Sequence, residues 1–150
     1  MNTLIIGAGA IGIAAGTALQ AAGASVTFLA RGETKTAMEQ GGIHRTGLLG
    51  EAHSQPDQFS VTDSYDRLTH SPFDYIIIAV KTMANETVCQ QLASHPDILA
   101  PGGKLVLFQN GWGNDAPYLR FFRREQICSA RVITGFQRKA PNVSQVTVYT

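Results

Sequence analysis

The stretch of sequence that decides the fold is Thr3-Leu4-Ile5-Ile6-Gly7-Ala8-Gly9-Ala10-Ile11-Gly12. Its apolar start predicts a buried strand, and the alanine-rich residues 11–19 predict a helix. Gly7 would let the chain leave the strand in a tight turn, Gly9 would let a pyrophosphate approach the backbone, and Gly12 would let the helix pack closely on the strand. A glycine-rich turn without a ligand is the alternative. The strand before the turn and the helix after it favour a dinucleotide site, with diphosphate on the N–H groups that open the helix.

Arg31 follows the second predicted strand, residues 26–30, at a position where sites selective for NAD have an acidic residue. A carboxylate there would accept a hydrogen bond from the ribose 2′-hydroxyl and would repel a 2′-phosphate. A guanidinium can instead hold a phosphate by two charge-assisted hydrogen bonds and can stack on adenine. Lys35 is a candidate for a second positive charge. Arg31 could also simply begin a solvated loop, but its place at the strand end favours NADP as the cofactor.

Composition narrows the class of protein. The 150 residues are 44% hydrophobic and 15% charged, which predicts one globular domain over residues 1–150. A net charge of +1 gives no broad basic field, so neither nucleic acid nor an anionic membrane is an expected partner. Gln20 and Ser25 interrupt the amino-terminal apolar run, which argues against a bilayer span. Cys89 and Cys128 form no CxxC motif and are interpreted as buried thiols in a reducing compartment, which predicts a cytoplasmic protein.

Strands and helices alternate along the chain, which predicts an α/β fold of the Rossmann type: a doubly wound, mostly parallel sheet with helices on both faces. The strongest buried strands are residues 74–80 and 104–108, and the last two are residues 127–133 and 143–149 around a turn at 140–142. Further helices are predicted at residues 34–40, 64–69, 83–94 and 114–123. Pro101-Gly102-Gly103 predicts a turn, and residues 43–46 and 51–53 predict a β-hairpin that elaborates the solvent side of the fold.

Two polar residues directly follow buried strands, namely Lys81 and Asn110. Ligands of open α/β sheets bind beyond the carboxyl ends of the strands, so both residues are placed where a cofactor or substrate would lie. The segment Asn110-Gly111-Trp112-Gly113 adds glycines that allow the backbone to approach a ligand. Position alone does not decide between these roles and an ordinary exposed lysine or a turn-forming asparagine.

Four ordered segments together resemble the amino-terminal domain of the ketopantoate reductase (2-dehydropantoate 2-reductase) family. They are Gly7-Ala8-Gly9-Ala10-Ile11-Gly12, Leu29-Ala30-Arg31, Asp74-Tyr75-Ile76-Ile77-Ile78-Ala79-Val80-Lys81-Thr82 and Phe108-Gln109-Asn110-Gly111-Trp112-Gly113-Asn114, and the resemblance covers nearly the whole chain. It implies NADPH as the hydride donor and a 2-oxo acid as the small-molecule substrate. The implied reaction is reduction of 2-dehydropantoate to pantoate, on the pantothenate route to coenzyme A.

The resemblance also implies a role for each matching residue. The glycine turn would hold diphosphate, Arg31 the 2′-phosphate and Lys81 the nucleotide, Asn110 would touch both cofactor and substrate, and Gln137 would lie near the nicotinamide. The residues predicted to bind cofactor are therefore Gly7, Ala8, Gly9, Ala10, Ile11, Gly12, Arg31, Lys81, Asn110 and Gln137.

The family has a second, helical domain that supplies a lysine as general acid, and this sequence stops at Thr150. We therefore expect no catalytic residue in this chain, and no turnover by it alone. His44, His53, His70 and His95 are scattered, without an evident carboxylate partner or metal-ligand spacing, and no metal site is predicted. Two alternatives stay open: a reductase of another 2-oxo acid, and a stand-alone NADP-binding module that senses redox state or docks a partner. A homodimer is compatible with the sequence, which does not determine the oligomeric state.

Overall fold

The computed structural model describes residues 1–69 and 71–149, which form two β-sheets and three α-helices. The strands are β1 (Asn2–Ile6), β2 (Ser25–Leu29), β3 (Ile43–Gly47), β4 (Ala52–Ser54), β5 (Ser60–Thr62), β6 (Phe73–Ile78), β7 (Leu99–Leu107), β8 (Ile127–Ser129), β9 (Gly135–Ala140) and β10 (Val143–Val148). The helices are α1 (Ala10–Ala21), α2 (Gly32–Gly41) and α3 (Asn85–Ser94). In this part of the chain, no helix combines the length and apolarity needed to cross a membrane.

The main sheet has six strands in the order β5-β2-β1-β6-β7-β8, and every neighbouring pair is parallel. Strand β1 lies inside this sheet, and its consecutive residues Leu4 and Ile5 are both fully buried. Successive side chains of a strand point to opposite faces, so a strand buried on both sides needs an unbroken apolar run. That is why the apolar runs of β1 and β6 are the clearest strand signals in the sequence.

Helices cover both faces of the main sheet. On one face, Leu4 and Ile78 belong to a core cluster that includes Cys89 of α3. On the other, Ile5 belongs to a cluster that includes Ile13 of α1. The predicted doubly wound α/β fold of the Rossmann type is confirmed.

The second sheet has four strands in the order β4-β3-β10-β9 and contacts α1. The predicted hairpin is confirmed, because β3 and β4 pair antiparallel with His44 opposite His53. The interpretation of this hairpin as a solvent-side elaboration was wrong. Strand β3 also pairs in parallel with β10, and Ile43 is fully buried in the core cluster that contains Ile13. The two strands are far apart in sequence, so no local pattern indicates their pairing.

The carboxyl-terminal third departs from the sequence prediction. The strand expected at residues 127–133 ends at Ser129, where β8 finishes the main sheet. The predicted turn at residues 140–142 is present, but the strand before it is β9, which pairs antiparallel with β10. Strand β9 has the sequence Gly-Phe-Gln-Arg-Lys-Ala, with three consecutive exposed polar residues, Gln137, Arg138 and Lys139. It therefore lacks the alternation of apolar and polar residues that predicts a strand.

Three predicted local elements also differ. Pro101-Gly102-Gly103 lies within β7, where the pairing with β6 jumps from Phe73 opposite Leu99 to Tyr75 opposite Lys104, so these residues interrupt the regular pairing. The predicted helix at 114–123 is replaced by turns and a short 3₁₀ segment, Tyr118–Arg120. The predicted helix at 64–69 is reduced to the 3₁₀ segment Asp66–Leu68. The helix expected at 83–94 begins instead at Asn85, after a 3₁₀ turn.

Candidate cofactor site

A cleft of about 420 Å³ opens at the carboxyl ends of β1 and β2. Gly7, Ala8 and Gly9 of the glycine turn line it, and Val80 and Tyr65 contribute apolar surface. Arg31 lies at the same cleft, where the chain leaves β2 and begins α2. The structure therefore brings the glycine turn and Arg31 together in one cleft, as the sequence predicted.

The glycine turn is tightly packed on its inner side. Gly7 has φ of +106°, and a Cβ added there would lie 2.7 Å from the backbone carbon of Ala79. A Cβ on Gly12 would lie 2.0 Å from the carbonyl oxygen of Gly7. One turn further along α1, a Cβ on Gly16 would lie 2.3 Å from the ring of Phe28. These glycines allow α1 to sit close against the sheet.

Gly9 differs from the other glycines of the turn. A Cβ added to it would meet no heavy atom within 4 Å. Its φ of −86° and ψ of −166° are open to any residue, so neither packing nor backbone conformation requires glycine there. Gly9 is also the N-cap of α1, with no side-chain hydrogen bond to the first turn. The first-turn N–H groups of α1 therefore have no side-chain cap at the end that faces the cleft.

Arg31 is exposed, and its side chain makes no hydrogen bond or ion pair with the described residues. Tyr65 lines the same cleft; burial raises its pKa to about 12, and the positive charge of Arg31 opposes part of that rise. The guanidinium therefore lies within electrostatic reach of the cleft wall. Lys35, the expected second cation, instead pairs with Glu39 at 2.6 Å and does not line the cleft. One helical turn separates these two residues, so the local pairing is favoured.

The second cation at the cleft is Arg138, which the sequence analysis missed. It lies on β9, and its Nη2 donates hydrogen bonds to Oγ1 of Thr34 and to the carbonyl oxygen of Pro141. No local pattern marks β9 as a strand. The only signal that could have found Arg138 is the turn at Pro141, which reverses the chain between two segments able to pair.

A second cavity, about 300 Å³, adjoins the first, since Val80 lines both. It lies at the carboxyl ends of β6 and β7, and both Lys81 and Asn110 line it, together with Ile11 of α1. The sequence-predicted residues of these two strand ends thus meet in one cavity, next to the start of α1. Together the two cavities run from Arg31 past the glycine turn to Asn110.

The side chain of Asn110 is already engaged within the protein. Its Nδ2 donates to the carbonyl oxygen of Val132 at 2.7 Å, and its Oδ1 accepts from the Val132 N–H at 3.0 Å. These two bonds tie the end of β7 to the segment between β8 and β9. An amide has a second N–H hydrogen and a second lone pair, so Asn110 keeps one donor and one acceptor for a ligand.

A buried polar network supports Asn110, and the sequence analysis missed it. The Nε2 of Gln109 donates to the carbonyl oxygen of Val80 and to Oδ1 of Asn85, both at 2.7 Å. The Nδ2 of Asn114 donates to the carbonyl oxygen of Asn110 at 3.1 Å, while its Oδ1 accepts from Asn85. This network fixes the backbone that carries Asn110. Asn114 bonds the backbone of its own loop, which favours a turn over the helix predicted there.

Gln137 lines neither of these cavities. It is exposed on β9, and because strand residues alternate, it lies on the opposite face from Arg138. The expected contact between Gln137 and the nicotinamide has no support in this geometry and stays a prediction.

The histidines are more paired than the sequence suggested. His95 has its Nε2 3.0 Å from Oδ1 of Asp66, so the expectation of no carboxylate partner was wrong for this residue. The pKa of His95 is raised, chiefly by its hydrogen bond to the carbonyl oxygen of Gln91 and then by Asp66. His44 and His53 stack with ring centroids 4.0 Å apart. His70 lies outside the described residues. Within residues 1–69 and 71–149, no group of three or more His, Cys, Asp and Glu side chains is placed to hold a metal ion.

The two cysteines are both free, but they differ in exposure. Cys89 is buried in α3, whereas Cys128 is exposed on β8, so the interpretation of both as buried thiols was wrong for Cys128. Strand β8 lies at the edge of the main sheet, which leaves part of it open to solvent.

Comparison with known proteins agrees with this geometry. Residues 3–149 match the family model described as ketopantoate reductase PanE/ApbA. The chain belongs to this family. A 2-dehydropantoate 2-reductase from Archaeoglobus fulgidus is 30% identical over 124 residues, which are 80% of this chain and 36% of the relative.

Solved structures of ketopantoate reductase relatives share the fold. The 2-dehydropantoate 2-reductase from Methylococcus capsulatus superposes with a TM-score of 0.79 at 25% identity, over 99% of this chain and 46% of its own. A D-mandelate dehydrogenase solved with NADH and anilino(oxo)acetate superposes with a TM-score of 0.82 at 18% identity, over 99% of this chain and 46% of its own. The chain thus spans less than half the length of the relatives it matches.

Proposed function

We propose that this chain is the cofactor-binding half of an NADPH-dependent reductase that converts 2-dehydropantoate to pantoate, on the pantothenate route to coenzyme A. Family membership supports an oxidoreductase of this type. The assignment of NADPH as the cofactor rests on the cleft that begins at the glycine turn and ends at Arg31 and Arg138. No aspartate or glutamate is among the described residues that line it. An anionic ligand that needs close backbone approach at one end and positive charge at the other fits this cleft.

The chain's own residues fit such a cofactor. The uncapped N–H groups at the start of α1 would bind its diphosphate, and the space beside Gly9 leaves room for that group. Arg31 would bind the 2′-phosphate, and the apolar surface of Val80 and Tyr65 would contact the adenosine. Lys81 and Asn110 would hold the nicotinamide end in the second cavity, where Asn110 would also meet the substrate.

When bound, the nicotinamide supplies the hydride, and the protein must supply orientation and a proton. We assign orientation to this chain and the proton to a lysine of the helical domain found in the family. The second cavity has one titratable lining residue, Lys81, and the family resemblance gives that lysine to the nucleotide. We further propose a cytoplasmic protein, since the free thiols Cys89 and Cys128 suit a reducing compartment.

Replacement of Arg31 by alanine tests the cofactor. We expect this chain to bind NADPH at least about tenfold more tightly than NADH, because a phosphate held by a guanidinium gains charge-assisted hydrogen bonds. Arg31→Ala should remove most of that difference and leave NADH affinity nearly unchanged, as measured by isothermal titration calorimetry. Arg124, which pairs with Asp115 away from the cleft, offers the control Arg124→Ala. Equal affinities of the unaltered chain for NADPH and NADH would overturn the proposal.

The likeness to D-mandelate dehydrogenase favours a second candidate, a reductase of a different 2-oxo acid. Steady-state rates separate the two candidates, measured on a protein that contains this chain together with the family's helical domain. We expect 2-dehydropantoate to give the highest kcat/KM in a panel that includes aromatic and aliphatic 2-oxo acids. A higher kcat/KM for an aromatic member would transfer the assignment to the second candidate.

A stand-alone sensor module is disfavoured by the surface. Such a module needs a closed, polar exterior, yet large apolar side chains are exposed, including Trp112 and Ile133. Ile133 also lines a groove of about 300 Å³ with Leu49 and Phe136. An exposed apolar groove of this kind counts against a closed, polar exterior.

A further inference from the structure

We propose that Arg138 is a second determinant of cofactor choice, which forms with Arg31 a two-guanidinium site for the 2′-phosphate. The inference rests on the proposed NADP site and adds to it a residue from the second sheet. Strand β9 therefore takes part in the cofactor site as well as in the fold.

The position of Arg138 is fixed by pairing within the second sheet. It lies opposite Ser144 of β10, which is fully buried, so the backbone of β9 is held at this point. From there its side chain reaches the first turn of α2, where Nη2 donates to Oγ1 of Thr34. Thr34 lies three residues after Arg31, and all three of these side chains line one cleft. The two guanidinium groups thus approach the cleft from different sheets.

The cleft contains two positively charged guanidinium groups and, among the described residues that line it, no carboxylate to neutralise them. Neither Arg31 nor Arg138 pairs with a carboxylate within residues 1–69 and 71–149, and no acidic residue lines the cleft. Some other cations of the chain, such as Lys81, also have no carboxylate partner among the described residues, so what distinguishes Arg31 and Arg138 is that both line one cleft. Like charges around one cleft repel each other, and a phosphomonoester of charge near −2 would compensate both.

The hydrogen bonds of Arg138 leave it able to bind an anion. Its two bonds to Thr34 and Pro141 both come from Nη2, so the Nε and Nη1 hydrogens have no partner among the described residues. A guanidinium offers its donors in a planar fork that suits phosphate oxygens. The bonds to Thr34 and Pro141 fix the orientation of this fork before a ligand arrives, which lowers the entropy lost on binding.

A purely structural role is the competing explanation, in which Arg138 only ties β9 to α2. Affinities for NADPH and NADH distinguish the structural role from the phosphate contact. Loss of a purely structural contact would weaken the binding of both cofactors, whereas loss of a contact to the 2′-phosphate would weaken the binding of NADPH alone. The variant is Arg138→Met, which keeps the length of the side chain and removes its donors. The matched control is Lys139→Met, which removes a positive charge one position along the same strand at a residue that does not line the cleft.

We expect Arg138→Met to weaken NADPH binding by about tenfold to a hundredfold in calorimetry, with NADH affinity changed by less than about twofold. Lys139→Met should change neither. Thr34→Val, which removes the acceptor for Nη2, should weaken NADPH binding less than Arg138→Met does. Adenosine 2′,5′-bisphosphate compared with AMP should give the same ranking, since these probes isolate the 2′-phosphate.

An equal loss of NADPH and NADH affinity in Arg138→Met, or no loss of either, would overturn the inference. If Arg138→Met lowers the thermal midpoint, Arg138→Gln decides in its place, because glutamine keeps a donor for Thr34 and removes the charge. Failure of the proposed function has a different signature: the unaltered chain would show no preference for NADPH over NADH. A preference that Arg31→Ala removes and Arg138→Met leaves intact would overturn this inference alone.

Discussion

The glycine turn has a packed side and an open side, and the two sides make different demands on the sequence. On the packed side, a Cβ on Gly12 would lie 2.0 Å from the carbonyl oxygen of Gly7. On the open side, a Cβ on Gly9 would meet nothing within 4 Å. Folding therefore explains Gly12 without any ligand, but it does not explain Gly9. Within one short motif, the residue that packing leaves unexplained is the one that points to a bound molecule.

The largest expected effect comes from Gly12→Ala. The new methyl group would overlap the backbone oxygen of Gly7, and backbone atoms cannot move aside as the end of a flexible side chain can. We expect a loss of about 3 kcal/mol or more in the free energy of unfolding, measured by urea denaturation followed by circular dichroism. A chain that does not fold at all would agree with the same reasoning.

Gly9→Ala is the matched control, since it makes the same substitution three positions away in the same turn. Its backbone conformation suits alanine, and the loss of a glycine N-cap should cost less than about 1 kcal/mol. Similar losses in the two variants would contradict the distinction between a packed and an open side.

The main sheet and the residues at its strand ends are the parts of the molecule that the sequence predicts best. The strands of the main sheet can be recognised in the sequence, because a strand buried on both faces must be continuously apolar, as at Ile76 and Ile77. A polar residue that follows such a run lies at a strand end, so the sequence alone is enough to place Lys81 and Asn110 at the carboxyl edge of the sheet, where they line one cavity. Arg31 follows in the same way from the end of β2.

The second sheet could not be predicted in this way. Its central pairing joins β3 to β10, which are separated by most of the chain, and its edge strand β9 carries Gln137 and Arg138 instead of apolar residues. The sequence therefore could not show that Arg138, and not Gln137, faces the cleft, since the two alternate across a strand that has no local signal. The same holds for the network of Gln109, Asn85 and Asn114, which depends on contacts between loops.

The smaller expected effect concerns binding, and Gly9→Val measures it. Valine would place its side chain in the open cleft, where the diphosphate would approach the first turn of α1. We expect affinity for NADPH and for NADH to fall together, each by about tenfold or more, because both cofactors carry the same diphosphate. Calorimetry measures both constants, and a thermal midpoint within a few degrees of the unaltered chain would show that the fold is retained. This parallel loss distinguishes Gly9→Val from Arg31→Ala, which should affect NADPH alone. If Gly9→Val binds both cofactors as tightly as the unaltered chain does, the open side of the turn is not the diphosphate site.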